Sequence, residues 1–363
     1  MADLRDMLAD ARALIECESP SADLAAVARS AEVVAEVGAG ILGAAPERIV
    51  IDGRTHLRWR LGSSEPRVLL LGHHDTVWPV GTLAARPFAV ESGILRGPGC
   101  FDMKIGLVMA LHAAAGLDGV TLLVTGDEEI GSPSSRTLIE EEAKAAVAAL
   151  VLEASVEGHL KTERKGVSLY EVRVAGHAAH AGLEPERGVN ATVELAHQVL
   201  AVSALADPAA GTTVTPTVAQ AGVTTNTVPA AGTFAVDVRA SSVTEQERVD
   251  RAMRSLWTVD EDARIETAGG VNRPPLEASA SDRLYETLCR IAVARGLPVP
   301  GRAAVGGASD GNYTAGVGTP TLDGLGAVGG GAHADDEHVL IGEISPRTAL
   351  LRALVEHLLV AER

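Results

Sequence analysis

At 363 residues the chain is longer than one hydrophobic core usually supports, so two domains are expected. Apolar residues make up 46% but aromatics only 2%, so the core must be built mostly of Ala, Val and Leu. The 31 Lys and Arg against 48 Asp and Glu give −17, which excludes a broad nucleic-acid or anionic-membrane surface, since both need clustered cations.

The N-terminal "MADLRDMLADARALIECES" is charged and helix-periodic, with no apolar signal core, and no apolar run approaches a membrane span. Cys17, Cys100 and Cys289 are odd in number, far apart and without CxxC spacing. They suit a reducing compartment rather than a disulfide framework or a cysteine zinc site, and the cytoplasm is the expected location.

Helices are predicted over "DLRDMLADARALIE" and "SADLAAVARSAEVVAEVGAGIL", the second starting at Ser21 or Asp23. The short apolar runs "RVLLLG", "VTLLVTG" and "AALVLEA" read as strands buried on both faces, with the helix "KIGLVMALHAAAGL" between the first two. This alternation implies βαβ units and a mostly parallel sheet flanked by helices. From about Arg164 the texture changes: "GVSLYEVRVAG", "TTVTPTVAQAG", "GTFAVDVRA" and "ARIETA" read as strands, while "GVNATVELAHQVLAVSAL" and "VTEQERVDRAMRSLW" read as helices. Their βαββαβ order predicts an inserted ferredoxin-like domain over 164–270, between catalytic parts 1–163 and 271–363. "GGVNRPPLE" reads as its exit linker, and "SPRTALLRALVEHLL" as a closing helix capped at Ser345 with Pro346 at its first position.

The chemistry-bearing residues cluster in a few stretches. In "GHHDTVWP", His73 and Asp75 share a strand face and His74 points away, a pairing that suits a ligating imidazole held by a carboxylate. "GPGCFDMKIG" places Asp102 in a glycine-rich turn before a helix, and "LLVTGDEEIGSPS" places Asp127, Glu128 and Glu129 at the end of a buried strand. "LVLEAS" places Glu153 at the end of another, and "GLGAVGGGAHADDEHV" puts His333 in a glycine-rich loop. Open α/β sheets gather their sites at the carboxyl ends of the strands. Histidine and carboxylate donors without cysteine are the ligand set of a hydrolytic zinc site. Asp127 reads as a solvated or structural acid, and His112 and His338 as structural histidines. "GLGAVG" fits GxGxxG formally but leads into no helix, so it does not mark a dinucleotide site.

The ordered set "GHHDTVWP", "GPGCFDMK", "TGDEEIGS", "LEAS" and "GGGAHADDEHV" resembles the dizinc metallopeptidase family of glutamate carboxypeptidases, aminoacylases and succinyl-diaminopimelate desuccinylases. The likeness is greatest to the folate-cleaving type of glutamate carboxypeptidase, although Ile105 stands where the commoner turn has a glycine. The resemblance implies a zinc-exopeptidase-like catalytic domain binding two Zn²⁺, with Co²⁺ or Mn²⁺ as possible substitutes. It assigns His73, Asp102 and Glu153 to one ion, and Glu129, His333 and a bridging Asp102 to the other. Two Zn²⁺ and three carboxylates would leave a net +1 to acidify a water and polarise a carbonyl. Glu128 resembles the general base, with Asp75 orienting His73. In the inserted domain, "GHAAHAGLEPERGVNA", "GVTTNTVP" and "FAVDVRA" match segments that supply His180, Asn226 and Arg239 to the substrate, the arginine fork facing a carboxylate. The expected substrate is a small peptide or N-acyl amino acid, cleaved to release a C-terminal acidic residue. Deacylase or dipeptidase action is the alternative, and a non-catalytic metal-binding relative is the alternative of another class. A homodimer through the inserted domain is also expected.

Overall fold

A computed structural model describes residues 3–360, in two compact units: the second spans Arg164–Leu276 and Gly306–Ala308, and the first holds the remaining described residues. In chain order the first unit begins with α1 (Leu4–Glu16) and α2 (Leu24–Leu42). Asp23 starts α2, its Oδ1 accepting from the Ala25 and Ala26 amides at 3.0 and 2.9 Å. Next come β1 (Glu47–Ile51), β2 (Arg54–Leu61), β3 (Val68–His73), α3 (Ile105–Ala114), β4 (Val120–Thr125), α4 (Arg136–Ala145), β5 (Ala148–Val151) and β6 (Leu160–Arg164).

The second unit contributes β7 (Gly166–Ala175), α5 (Ala191–Ser203), β8 (Thr213–Ala221), β9 (Ala231–Ala240), α6 (Val243–Arg254) and β10 (Arg264–Arg273). Its four long strands form an antiparallel sheet in the order β8-β9-β7-β10. Alternation turns Tyr170, Val172, Val174, Phe234, Val236 and Val238 onto one face, where Leu195, Val249 and Met253 of the helices cover them. The exit of this unit corrects the sequence expectation of a boundary at residue 270. Gly269 and Gly270 stay in β10, and pairing continues to Arg273 opposite Val167, because β7 offers ladder partners back to Gly166.

The chain then adds α7 (Ala278–Arg295), β11 (Thr321–Leu322) and α8 (Ile341–Val360) to the first unit. Its six-stranded sheet runs β1-β2-β4-β3-β5-β11, parallel from β4 to β11 and antiparallel at the β1 and β2 edge. The buried run of β3 splits by strand alternation: Val68 and Leu70 join one core, while Leu69 and Leu71 pack with Leu138 and Ile139 of α4 in another. The last helix also departs from expectation. It starts at Ile341 and carries Pro346 inside, because the buried Ile344 draws the preceding turn against the core. Among the described residues no helix is long and apolar enough to cross a membrane.

Candidate metal centre

The parallel register brings the strand ends level. His73, the last residue of β3, pairs with Thr125 of β4, and Leu71 pairs with Val151 of β5. The residues that follow, Glu128 and Glu129 after β4 and Glu153 after β5, therefore leave the sheet at the rim where His73 stands. Asp102 joins them from the turn before α3, and that helix sits close against β5. At Gly106 an added Cβ would lie 2.1 Å from the Leu152 carbonyl oxygen, so only glycine permits this approach. Ile105, at the position where glycine is commoner, points into the core and is 1% exposed.

The two oxygens of Asp102 face different histidines. Oδ1 lies 3.4 Å from His73 Nε2, which is also 3.6 Å from Glu153 Oε1. Oδ2 lies 3.4 Å from His333 Nε2, which is also 3.1 Å from Glu129 Oε2. His333 adopts a left-handed backbone (φ 61°), unusual for a residue with a Cβ and a sign of local strain held by its surroundings. Three atoms turned inward, His73 Nε2, Asp102 Oδ1 and Glu129 Oε1, are buried without a hydrogen-bond partner. Each such orphan typically costs about 1–3 kcal/mol, and bound cations would satisfy them. Imidazole and carboxylate donors, with no thiolate, fit a zinc-like divalent ion.

The electrostatics among these side chains agree. Burial alone would lower His73, but Asp102, Asp75 and Glu153 raise its pKa well above the ordinary value. Asp102 and Glu129 push His333 up to about 10. Burial opposes ionisation of Asp102 as well, yet His333 and His73 hold its pKa below the usual carboxylate range.

Two carboxylates hold this arrangement in place. Asp75 is fully buried; its backbone carbonyl lies 3.0 Å from His73 Nδ1 and its Oδ1 3.4 Å from the same nitrogen. It also accepts the amides of Glu128 and Glu129, each at 3.2 Å, and the Ser21 hydroxyl at 2.6 Å. One side chain therefore orients the imidazole and the acidic turn together. Glu337 was not singled out in the sequence. Its buried carboxylate accepts the amides of Gly99, Phe101 and Asp102 at 2.9, 2.9 and 3.1 Å, and Trp78 Nε1 at 2.8 Å, fixing the turn that presents Asp102.

Nearby candidates have structural partners instead. Asp127 is buried, not solvated, and accepts from the amides and hydroxyls of Ser134 and Ser135. His74 points off the site, Nε2 3.0 Å from the Thr55 carbonyl, and burial lowers its pKa to about 4. His112 pairs with Asp10 at 2.7 Å, and His338 Nδ1 lies 2.9 Å from the Asp336 carbonyl.

His180, Asn226 and Arg239 lie in the second unit. His180 sits on a two-residue strand paired with Thr227, and its neighbour's amide, Ala181 N, donates to the Asn226 carbonyl at 2.9 Å. Arg239 has a partner within its own strand. Asp237, two residues earlier on the same face of β9, already accepts it bidentately at 2.7 and 2.8 Å.

Residues 69–357 match peptidase family M20/M25/M40. The chain is 34% identical over 313 residues to Carboxypeptidase G2 of Pseudomonas sp. (strain RS-16), covering 81% of this chain and 74% of that protein. It is 26% identical over 331 residues to the succinyl-diaminopimelate desuccinylase of Magnetococcus marinus, covering 82% and 85%. A M20 family metallo-carboxypeptidase from Sulfolobus solfataricus shares the fold with a TM-score of 0.74 at 16% identity, covering 99% of this chain and 100% of that one. The aminopeptidase PepT from Bacillus cereus ATCC 10987 does so at 0.72 and 19%, covering 98% and 99%. The chain belongs to peptidase family M20/M25/M40 and is a metallopeptidase-type hydrolase acting on peptide or amide bonds.

Proposed function

We propose that the protein is a glutamate carboxypeptidase, a dimetal amidohydrolase releasing a C-terminal acidic amino acid from a small peptidyl or acyl substrate. The observation that carries the dimetal reading is Asp102, whose two oxygens face His73 and His333 separately. His73, Asp102 and Glu153 would hold one ion, and Glu129, His333 and the other oxygen of Asp102 the second. Two Zn²⁺, with Co²⁺ or Mn²⁺ as substitutes, would supply Lewis acidity toward the scissile carbonyl and a more acidic water. Glu128 is buried, belongs with His73 and Glu153 to one group of close-lying ligand atoms, and has its amide held by Asp75. Its carboxylate takes the proton of the attacking water and passes it to the leaving nitrogen. Retention of such a base favours an enzyme over a non-catalytic metal-binding relative.

The carboxypeptidase reading is supported by the likeness to Carboxypeptidase G2, and the alternative, an N-acyl amino acid deacylase, by the desuccinylase. His180, Asn226 and Arg239 keep their assignment to the substrate carboxylate on motif alone. A free charge-assisted pair gives roughly 10- to 100-fold in affinity, and the pairing with Asp237 moves Arg239 toward the lower end. Arg239→Ala should therefore lower kcat/KM about tenfold for an acyl-glutamate and much less for the same substrate with its terminal carboxylate converted to the amide, with all hydrolysis lost to chelator. Equal losses on both substrates, or faster turnover of N-succinyl or N-acetyl amino acids than of acyl-glutamates, would sink the carboxypeptidase assignment.

The same reading includes a cytoplasmic homodimer. Cys17, Cys100 and Cys289 are all free thiols, as a reducing compartment requires. In the second unit β8 is an edge strand, and Val193, Leu200 and Val218 on α5 and β8 are 53%, 70% and 59% exposed. Sedimentation at working concentration should give twice the chain mass, and a fully active monomer would overturn the dimer.

A further inference from the structure

Beside the centre stands a cation that the metal-ligand set does not include. Lys161 lies on β6, and its amide donates to the Asp323 carbonyl at 3.0 Å, which anchors the backbone there. Its side chain is only 14% exposed, and Nζ lies 3.7 Å from Oε2 of Glu153, itself 9% exposed. The opposite oxygen, Oε1, is the one turned toward His73 Nε2 at 3.6 Å. The two oxygens of Glu153 are thus divided, one toward the inward-facing donors and one toward an ammonium.

Resting on the dimetal reading above, we propose that Lys161 is a positioning residue that makes Glu153 a one-oxygen ligand. A carboxylate with both oxygens free can take a divalent ion with either or both. Holding Oε2 by charge leaves only Oε1 for the metal and keeps a coordination position open, the property that separates a catalytic from a closed site. The ammonium also draws electron density from Glu153 and adds a second positive charge behind the ion. It therefore weakens metal binding while making the centre more electrophilic.

The test uses the full-length protein loaded with Co²⁺, whose visible spectrum reports coordination number independently of turnover. Lys161→Met should lose visible absorbance as Glu153 becomes bidentate. It should also bind Co²⁺ more tightly, by about tenfold or more, because a unit charge a few ångströms from a divalent ion is worth at least that much even when well screened. Lys161→Arg keeps the charge and should retain most of the wild-type spectrum. A Met variant with an unaltered spectrum, or one that binds Co²⁺ more weakly, overturns the proposal, as does an Arg variant indistinguishable from Met. Failure of the dimetal reading would look different: wild-type protein itself would then take up no Co²⁺.

Discussion

Replacing Glu128 with glutamine should leave the metal in place and lower kcat by a factor of about 10²–10⁴, the usual contribution of a positioned general base. The substitution is nearly isosteric. It leaves untouched the Glu128 amide, which donates to Asp75 at 3.2 Å, so the turn carrying Glu129 keeps its place. Glu128 lies in the same group of close-lying atoms as His73 and Glu153, so losing its charge should loosen a cation by about tenfold while the assigned ligands stay in place, and saturating metal restores occupancy. Metal content by elemental analysis should match wild type, and KM should move little compared with kcat. Near-normal turnover in this variant would take Glu128 out of the mechanism. Loss of metal with turnover would make it a ligand rather than a base.

How far the sequence carried this depends on which interactions were local. The buried runs of β3, β4 and β5 showed their strands directly, because a strand covered on both faces has no polar positions. The inward donors were legible because each stands at a strand end or in a glycine-rich turn. The β1–β2 edge was readable too: "VIDGRT" carries Asp52 and Gly53 at φ 50° and 78°, the left-handed pair of a tight hairpin. That edge went unread, and with it the antiparallel side of the sheet. Glu337 could not be found locally. Its partners Gly99, Phe101 and Asp102 lie more than 230 positions away, and nothing in "DDEHV" says which acid will meet them. The second role of Asp75 was hidden for the same reason, since only the parallel register of β3 and β4 brings the Glu128–Glu129 turn against it. The Asp237 partner of Arg239 was legible at short range, because an acid two residues before it on an alternating strand shares its face.

Asp102→Ala should be the most damaging single change, because the two oxygens of Asp102 face both histidines. His73→Ala removes a donor from one position and leaves His333, Glu129 and Asp102 for the other, so it should retain part of its metal. Asp102→Ala removes a donor from both. Disrupting groups that merely support ligands usually costs 10–100-fold in metal affinity or activity, so losing a shared ligand should exceed 10² at the least. Activity should be abolished at zinc concentrations that saturate the wild type, and bound metal should fall from about two ions per chain toward none. The proton balance gives a second readout. In the metal-free protein Asp102 and then Glu129 raise His333 to about 10, so its ring is protonated at neutral pH and must lose that proton when a metal takes Nε2. Metal uptake by the wild type should therefore release protons, and its apparent affinity should fall as pH is lowered. In Asp102→Ala the largest source of that shift is gone, so proton release per ion bound should shrink. An Asp102→Ala protein that still binds two ions and still hydrolyses substrate would dismantle the shared-ligand arrangement, and with it the assignment of His73 and His333 to one dinuclear centre.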